Sequence, residues 1–178
     1  MFSLNDKVVY PGHGVAKISR VVEKKVAGLI VQFFELRFLN KDMTILVPTR
    51  NVASVGIRKL SSKERIVAIF KILAEPVDRK KITPDFVASN WNKRNKEYQC
   101  KLRTGDLREI CQIYRDLNYI AQQKELSFGE KNLLAQTENL LVEEISIVNK
   151  VGEDKATEDL RSIFKSRLYQ GSTVAQSM

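Results

Sequence analysis

The spacing of apolar residues changes near residue 60, from every second position to every third or fourth, and no single kind of element satisfies both periods. Before that point KVVYP, GVAKISRVVEKK, VQFFELRFL, MTILVP and VASVGIRKL are runs rich in Val, Ile, Phe and Thr. Turn sequences separate them: Pro11-Gly12-His13-Gly14, Ala27-Gly28, Asn40-Lys41-Asp42 and Thr49-Arg50-Asn51. Five short strands with tight turns and no helix signal predict a small five-stranded antiparallel barrel of the Tudor or SH3 kind over residues 1–58. A barrel of that size has little core of its own and typically works as a docking module.

From residue 60 the pattern is helical. Ser61 with Glu64 forms a capping-box pattern ahead of Ile66, Ile69, Phe70 and Leu73, and the run stops before Pro76. Residues 76–83 (PVDRKKIT) read as a linker. A second helix starts either at Thr83-Pro84 or from an Asn90 cap, and passes Trp91, Tyr98 and Leu102 before the Thr104-Gly105 stop. Asp106 with Glu109 caps a third helix carrying Leu107, Ile110, Tyr114 and Leu117. Ser127 with Glu130 caps a fourth, with Leu133, Leu134, Leu140, Leu141 and Ile145, and a last one from about Asp154 carries Leu160, Ile163, Phe164 and Leu168. The expected fold is α+β: the barrel, then a bundle of about five helices over residues 59–169, then a flexible tail over 170–178.

Chemistry is hard to find in this chain. GxGxxG, GxxxxGK[ST], HExxH and GxSxG are all absent. His13, the one histidine, sits in a turn between strands with no carboxylate or nucleophile beside it. Glu143-Glu144 and Glu158-Asp159 are neighbours on helices and point about 100° apart, so they read as solvated faces rather than an acid/base pair. Cys100 and Cys111 read as two small buried thiols, and one histidine leaves no zinc-site pattern. A non-enzymatic protein without metal or cofactor is expected. No apolar run approaches the roughly 18 residues of a membrane span. The start, MFSLNDKVVYPG, lacks the basic-then-apolar order of a secretory signal. A cytoplasmic protein with no membrane partner is the expectation.

The charge map is more informative. The chain carries net charge +9, yet residues 59–103 hold 12 basic and 5 acidic side chains while residues 104–178 hold 9 and 12. Positive charge concentrated at the junction of two halves suits a polyanion such as nucleic acid. Within that stretch lies SNWNKRNKEY, holding the chain's only tryptophan. On a helix, Trp91, Arg94 and Asn95 share a face with Tyr98 one turn on, flanked by Lys93 and Lys96. Two readings stand open. Trp91 is the buried edge of an amphipathic helix, or it is an apolar wedge beside cations that meets an unstacked base step.

KVVYPGHGVAKI with MTILVP and VGIRKL resembles the RNA-polymerase-interacting domain of the bacterial CarD/CdnL family, a domain related to one in transcription–repair coupling factors. NWNKRNKEYQCKLRTGDLREICQIYRDL and LSFGEKNLLAQTENLLVEEI resemble the family's helical C-terminal domain. The resemblance spans roughly residues 3–168 and implies a non-catalytic transcription regulator; a monomer is expected. Its Tudor-like domain docks on the RNA polymerase β subunit, and its helical domain places Trp91 in the minor groove at the upstream edge of the open promoter. DNA contact of this kind is largely not sequence-specific. By the same resemblance Lys93, Arg94 and Lys96 touch the DNA backbone. The strand Met43–Pro48 is the polymerase-facing edge, where an arginine or methionine of relatives is replaced by Leu46. A hydrophobic contact through Leu36, Leu46 and Pro48 is therefore expected, with Lys24 or Lys25 adding a peripheral charge. Asn95 departs from the tyrosine common in the motif. For Leu36 and Leu46 a place in the barrel core competes with that role.

Two other functions fit the same residues. One is a free-standing nucleic-acid-binding protein whose barrel reads DNA or RNA directly. The other is a protein-interaction adaptor that never meets nucleic acid, which would need Trp91 buried and the basic residues dispersed.

Overall fold

The computed structural model describes residues 2–75 and 91–172, with side chains placed as far as Lys165. Strands β1 (Lys7–Tyr10), β2 (Gly14–Val26), β3 (Leu29–Phe38), β4 (Thr44–Pro48) and β5 (Arg58–Lys59) form one antiparallel sheet in the order β4-β3-β2-β1-β5. The expected five strands and the helical region after them are both present. Strand alternation turns Val8, Ala16, Ile18, Leu36, Phe38 and Val47 onto one face, where they pack with Val52 and Ile57 into the first core.

The run VASVGIRKL departs from the expected strand. A 3-10 turn (Thr49–Asn51) and helix α1 (Val52–Val55) precede a β5 of only two residues. Positions 52 and 57 differ by an odd number, so an extended strand would point them to opposite faces. The helical turn brings both into the core, at 7% and 8% exposure. In contrast, β2 and β3 outrun the expected short strands. They continue as a hairpin past the core and close through Ala27 and Gly28, both at positive φ (48° and 83°), the requirement of a tight type I′ turn.

The second core belongs to α2 (Lys63–Ala74), α3 (Trp91–Thr104), α4 (Leu107–Gln123), α5 (Phe128–Asn149) and α6 (Glu153–Ser172). Ile66, Ile69, Leu73, Tyr98, Leu102, Leu107, Ile110, Tyr114, Leu117, Leu133, Leu141 and Leu160 are buried in it, as their helical spacing requires. Caps fix the starts. Asp106 accepts from the Arg108 amide, and Ser127 with Glu130 makes a full capping box. The first cap shifts by one residue: Ser62, not Ser61, accepts from the Arg65 amide, while the Ser61 amide donates to Glu144.

The expected linker at 76–83 and both candidate helix starts, Thr83-Pro84 and Asn90, lie outside the described residues. Helix α6 continues through Ser172, so the first residues of the expected tail are helical. One cysteine corrects the sequence reading. Cys111 is buried, and burial pushes its thiol up to about 12, but Cys100 is exposed on the outer face of α3.

Helix α5 explains the joining of the two cores. Seven consecutive residues, Leu140 to Ser146, are all buried. At 100° per residue they cover every direction around the axis, so something must pack on every side. Helices α2, α4 and α6 cover one part and β2 covers the other.

Candidate functional site

Trp91 is the first described residue of α3, and its indole packs against Gly129 in the first turn of α5. A methyl group built on Gly129 would stand 3.0 Å from Nε1 and Cζ2 and 3.1 Å from Cε2, so an alanine there would require the ring to give by a few tenths of an ångström. The ring also packs against the helical core yet stays only partly buried. The ring thus has one side against the core and one side open. Arg94, one turn along, brings its guanidinium to 5.8 Å from the ring centroid, within cation–π reach.

Arg94 is not on the surface. It is 3% exposed, and its Nη2 donates at 2.8 Å to Glu130, itself 1% exposed. Glu130 also accepts from the Ser127 amide at 2.8 Å and from Lys124 at 3.1 Å. Burial pushes this carboxyl up, but the Ser127 amide, Arg94, Lys124 and the Ser127 hydroxyl together pull it down to about 2. The expectation that Arg94 touches the DNA backbone is therefore corrected for this conformation: a guanidinium held by a buried carboxylate is withheld from phosphate, and it lies against the ring instead. Lys93 and Lys96 do remain exposed on either side of the Trp91–Arg94 stripe.

A residue the sequence reading passed over completes the patch. Phe128, the first residue of α5 and the neighbour of Gly129, is 81% exposed. A large exposed aromatic at a helix start next to a partly exposed indole is an unusual surface for an unpartnered protein. The available signal was the SFGEK stretch, where Phe falls outside the apolar stripe of α5.

On the sheet, register sorts the expected docking residues. β4 is an edge strand, with Val47 and Ile45 directed to the core. Leu46 and Pro48 fall on the opposite face, beside Glu35 and Phe33 of β3. Phe33 pairs in turn with Val22 of β2, so Lys24, two residues further, shares this outer face while Lys25 falls on the other. Leu36 pairs with Ile18 and is 1% exposed inside the core. Its expected place on a docking surface is overturned, since an inward-pointing strand residue cannot reach a partner. The outer face thus gathers Leu46, Pro48, Phe33, Val22 and Lys24, with an Arg20–Glu35 ion pair at 2.8 Å beside them.

Family profiles match both parts of the chain. The family profile described as "CarD, C-terminal domain" matches residues 69–161, and "CarD-like/TRCF RID domain" matches residues 2–61. The chain belongs to the CarD family. A relative from Bacillus subtilis (strain 168), named "Putative transcription factor YdeB", is 27% identical over 153 residues, covering 86% of this chain and 95% of that one. The solution structure of the 72-residue N-terminal domain of Myxococcus xanthus CarD is 34% identical and covers 33% of this chain and 79% of that one. Its TM-score of 0.29 marks a loose superposition that bears no weight for the fold.

Two further residues of this CarD-family chain were misread from sequence. Glu143 and Glu144, expected on a solvated face, are 6% and 1% exposed. The Val15 amide donates to Glu143 at 3.1 Å, and Arg58 grips Glu144 with two bonds of 2.7 and 2.8 Å. The expectation failed because it placed α5 at a surface, whereas β2 covers that side.

Proposed function

We propose that this CarD-family transcription regulator docks on the β subunit of bacterial RNA polymerase and stabilises the open promoter complex with Trp91. The docking surface is the outer face of the β4 edge, through Leu46, Pro48 and Lys24. Trp91 enters the minor groove at the upstream edge of the opened DNA, with Phe128 beside it and Lys93 and Lys96 on flanking phosphates. The observation that carries this reading is the braced ring: an indole seated on Gly129, backed by the Arg94–Glu130 pair and bordered by an exposed phenylalanine and two exposed lysines. A side chain meant to separate bases must arrive rigid, because any rotamer freedom lost on insertion subtracts from the stabilisation.

The protein has no reaction to perform; it binds the melted state better than the closed duplex and shifts that equilibrium. Its place of action is the cytoplasm, as a monomer carried by polymerase, without cofactor. Trp91→Ala is expected to leave polymerase binding intact and shorten open-complex lifetime, measured by competitor challenge on several promoters. Leu46→Asp is expected to abolish capture by a β-subunit lobe fragment. Unchanged lifetimes with Trp91→Ala would end the wedge reading, and unchanged capture with Leu46→Asp would end the docking one.

A further inference from the structure

The sheet and the helices are joined by more than apolar contact. Arg58, on β5, donates through both terminal nitrogens to Glu144 and through Nε to the Gly105 carbonyl at 2.7 Å, in the turn that follows the Trp91 helix. The Ser61 amide adds a third bond to Glu144 at 2.8 Å. On β2, across β1 from Arg58, the Val15 amide bonds Glu143, and a methyl on Gly14 would overlap that carboxylate. Pro11 rests on Gly105, where an added methyl would stand 2.9 Å from its Cγ. Asn40, in the β3–β4 loop, bonds Glu153 at the start of α6. Three separate parts of the sheet are thus tied to three parts of the helical region.

A flexible two-module protein would not be built this way. Interfaces between mobile domains are wet and exchangeable, whereas a bidentate Arg–carboxylate pair with the carboxylate 2% exposed is directional and costly to break. The same guanidinium bonds the α3–α4 turn and α5 from its place on β5, so rotation of the helices on the sheet would break its bonds to Gly105 and Glu144 together.

We propose that Glu144, held by Arg58, is a positioning residue: it fixes the orientation of the helical region on the sheet, so that wherever the sheet docks, the place of Trp91 is already set. The second half of this statement rests on the docking-and-wedge function above; the first half does not. A polymerase-bound factor whose helices swung freely would present Trp91 at the fork only for a fraction of the time, and its effective strength would fall by that fraction.

The test uses the full chain. Cys100 is exposed and takes one spin label, and Glu23→Cys on β2 takes the other; Cys111 is buried. The distance distribution between them is compared for the parent, Glu144→Gln and Arg58→Gln, with circular dichroism reporting folding. Open-complex lifetime and β-lobe capture are measured on the unlabelled proteins. A narrow distribution that broadens in both variants, with capture retained and the Trp91-dependent part of the lifetime lost, is the expected result. The Trp91→Ala/Glu144→Gln double variant is then no worse than Trp91→Ala alone. Unbroadened distributions in folded variants overturn the clamp, whatever transcription shows. Broadening with a full lifetime overturns the link from orientation to wedge. Should Trp91→Ala itself prove silent, the wedge function falls while the distance measurement still decides the clamp. If Glu144→Gln fails to fold, Arg58→Gln decides, because Arg58 is the more exposed partner at 21%.

Discussion

Glu130 and Glu143 stand on the same helix, both buried, and burial alone would push both carboxyls up. They shift in opposite directions. Glu130 lies in the first turn of α5, where free amides and the helix dipole favour an anion, and Arg94 and Lys124 complete its shell. Glu143 lies mid-helix, and among the described residues it receives one hydrogen bond, from Val15. Burial pushes its carboxyl up most; the Val15 amide and Lys41 pull it down, Glu153 and Glu144 add to the rise, and the net direction is upward. The comparison teaches that a buried acid is stabilised by its donors rather than by its position. The Glu130 carboxylate under Trp91 has a full set of donors, and the Glu143 carboxylate at the sheet–helix junction does not.

The largest expected effect breaks the complete centre. Glu130→Ala leaves the Arg94 guanidinium in the core without its carboxylate and should cost about 3–5 kcal/mol in urea unfolding. A cost near that of a surface substitution would mean Arg94 does not depend on Glu130. Next comes the strained corner. Gly14 holds φ at 105° with the Glu143 carboxylate against it, so Gly14→Ala should cost about 2 kcal/mol or more. Adding Glu143→Ala to Gly14→Ala should return part of that loss, because the overlap goes while the backbone strain stays. Smaller still is Gly129→Ala. A helical alanine gains up to about 1 kcal/mol over glycine, and the methyl's crowding of the indole opposes that gain. Stability should hold within about 1 kcal/mol while Trp91, the sole tryptophan, shifts its fluorescence as the ring lifts.

Much of this was legible in the sequence, for a reason that also marks the limit. Tyr98, Leu102, Tyr114 and Leu117 declare themselves by spacing, since apolar periodicity reports which face of an element leaves water. Ser127 and Glu130 announce a cap because the motif is local. Leu36 and Leu46 could not be separated by composition; only the register with Ile18 and Glu35 puts one inside and one outside. Arg94 and the Glu143-Glu144 pair were misjudged because a charged residue's burial depends on a partner far away in the chain. Glu130 is 36 residues from Arg94, and Glu144 is 86 from Arg58. No local pattern encodes such pairings.

The smallest expected effect separates the two acids by pH. Glu130 has its folded carboxyl lowered from 4.5 to about 2, so its contribution is fully present above about 4.5 and is lost as pH falls toward 2. Glu143 has its folded carboxyl raised, so the folded state holds the proton longer than the unfolded chain. Its contribution is greatest in acid and is lost as pH rises from about 4.5 through the folded value. The two windows lie on opposite sides of the ordinary carboxylate range. Glu143→Gln keeps an oxygen for the Val15 amide and removes the buried charge, so it should gain about 1 kcal/mol or less at neutral pH. Urea midpoints followed from pH 3 to 8 should lose their decline above about 4.5 in Glu143→Gln, while the acid-side fall owed to Glu130 remains. A variant that kept the upper decline would place its origin elsewhere, and the contrast between a complete and an incomplete acid on one helix would fail.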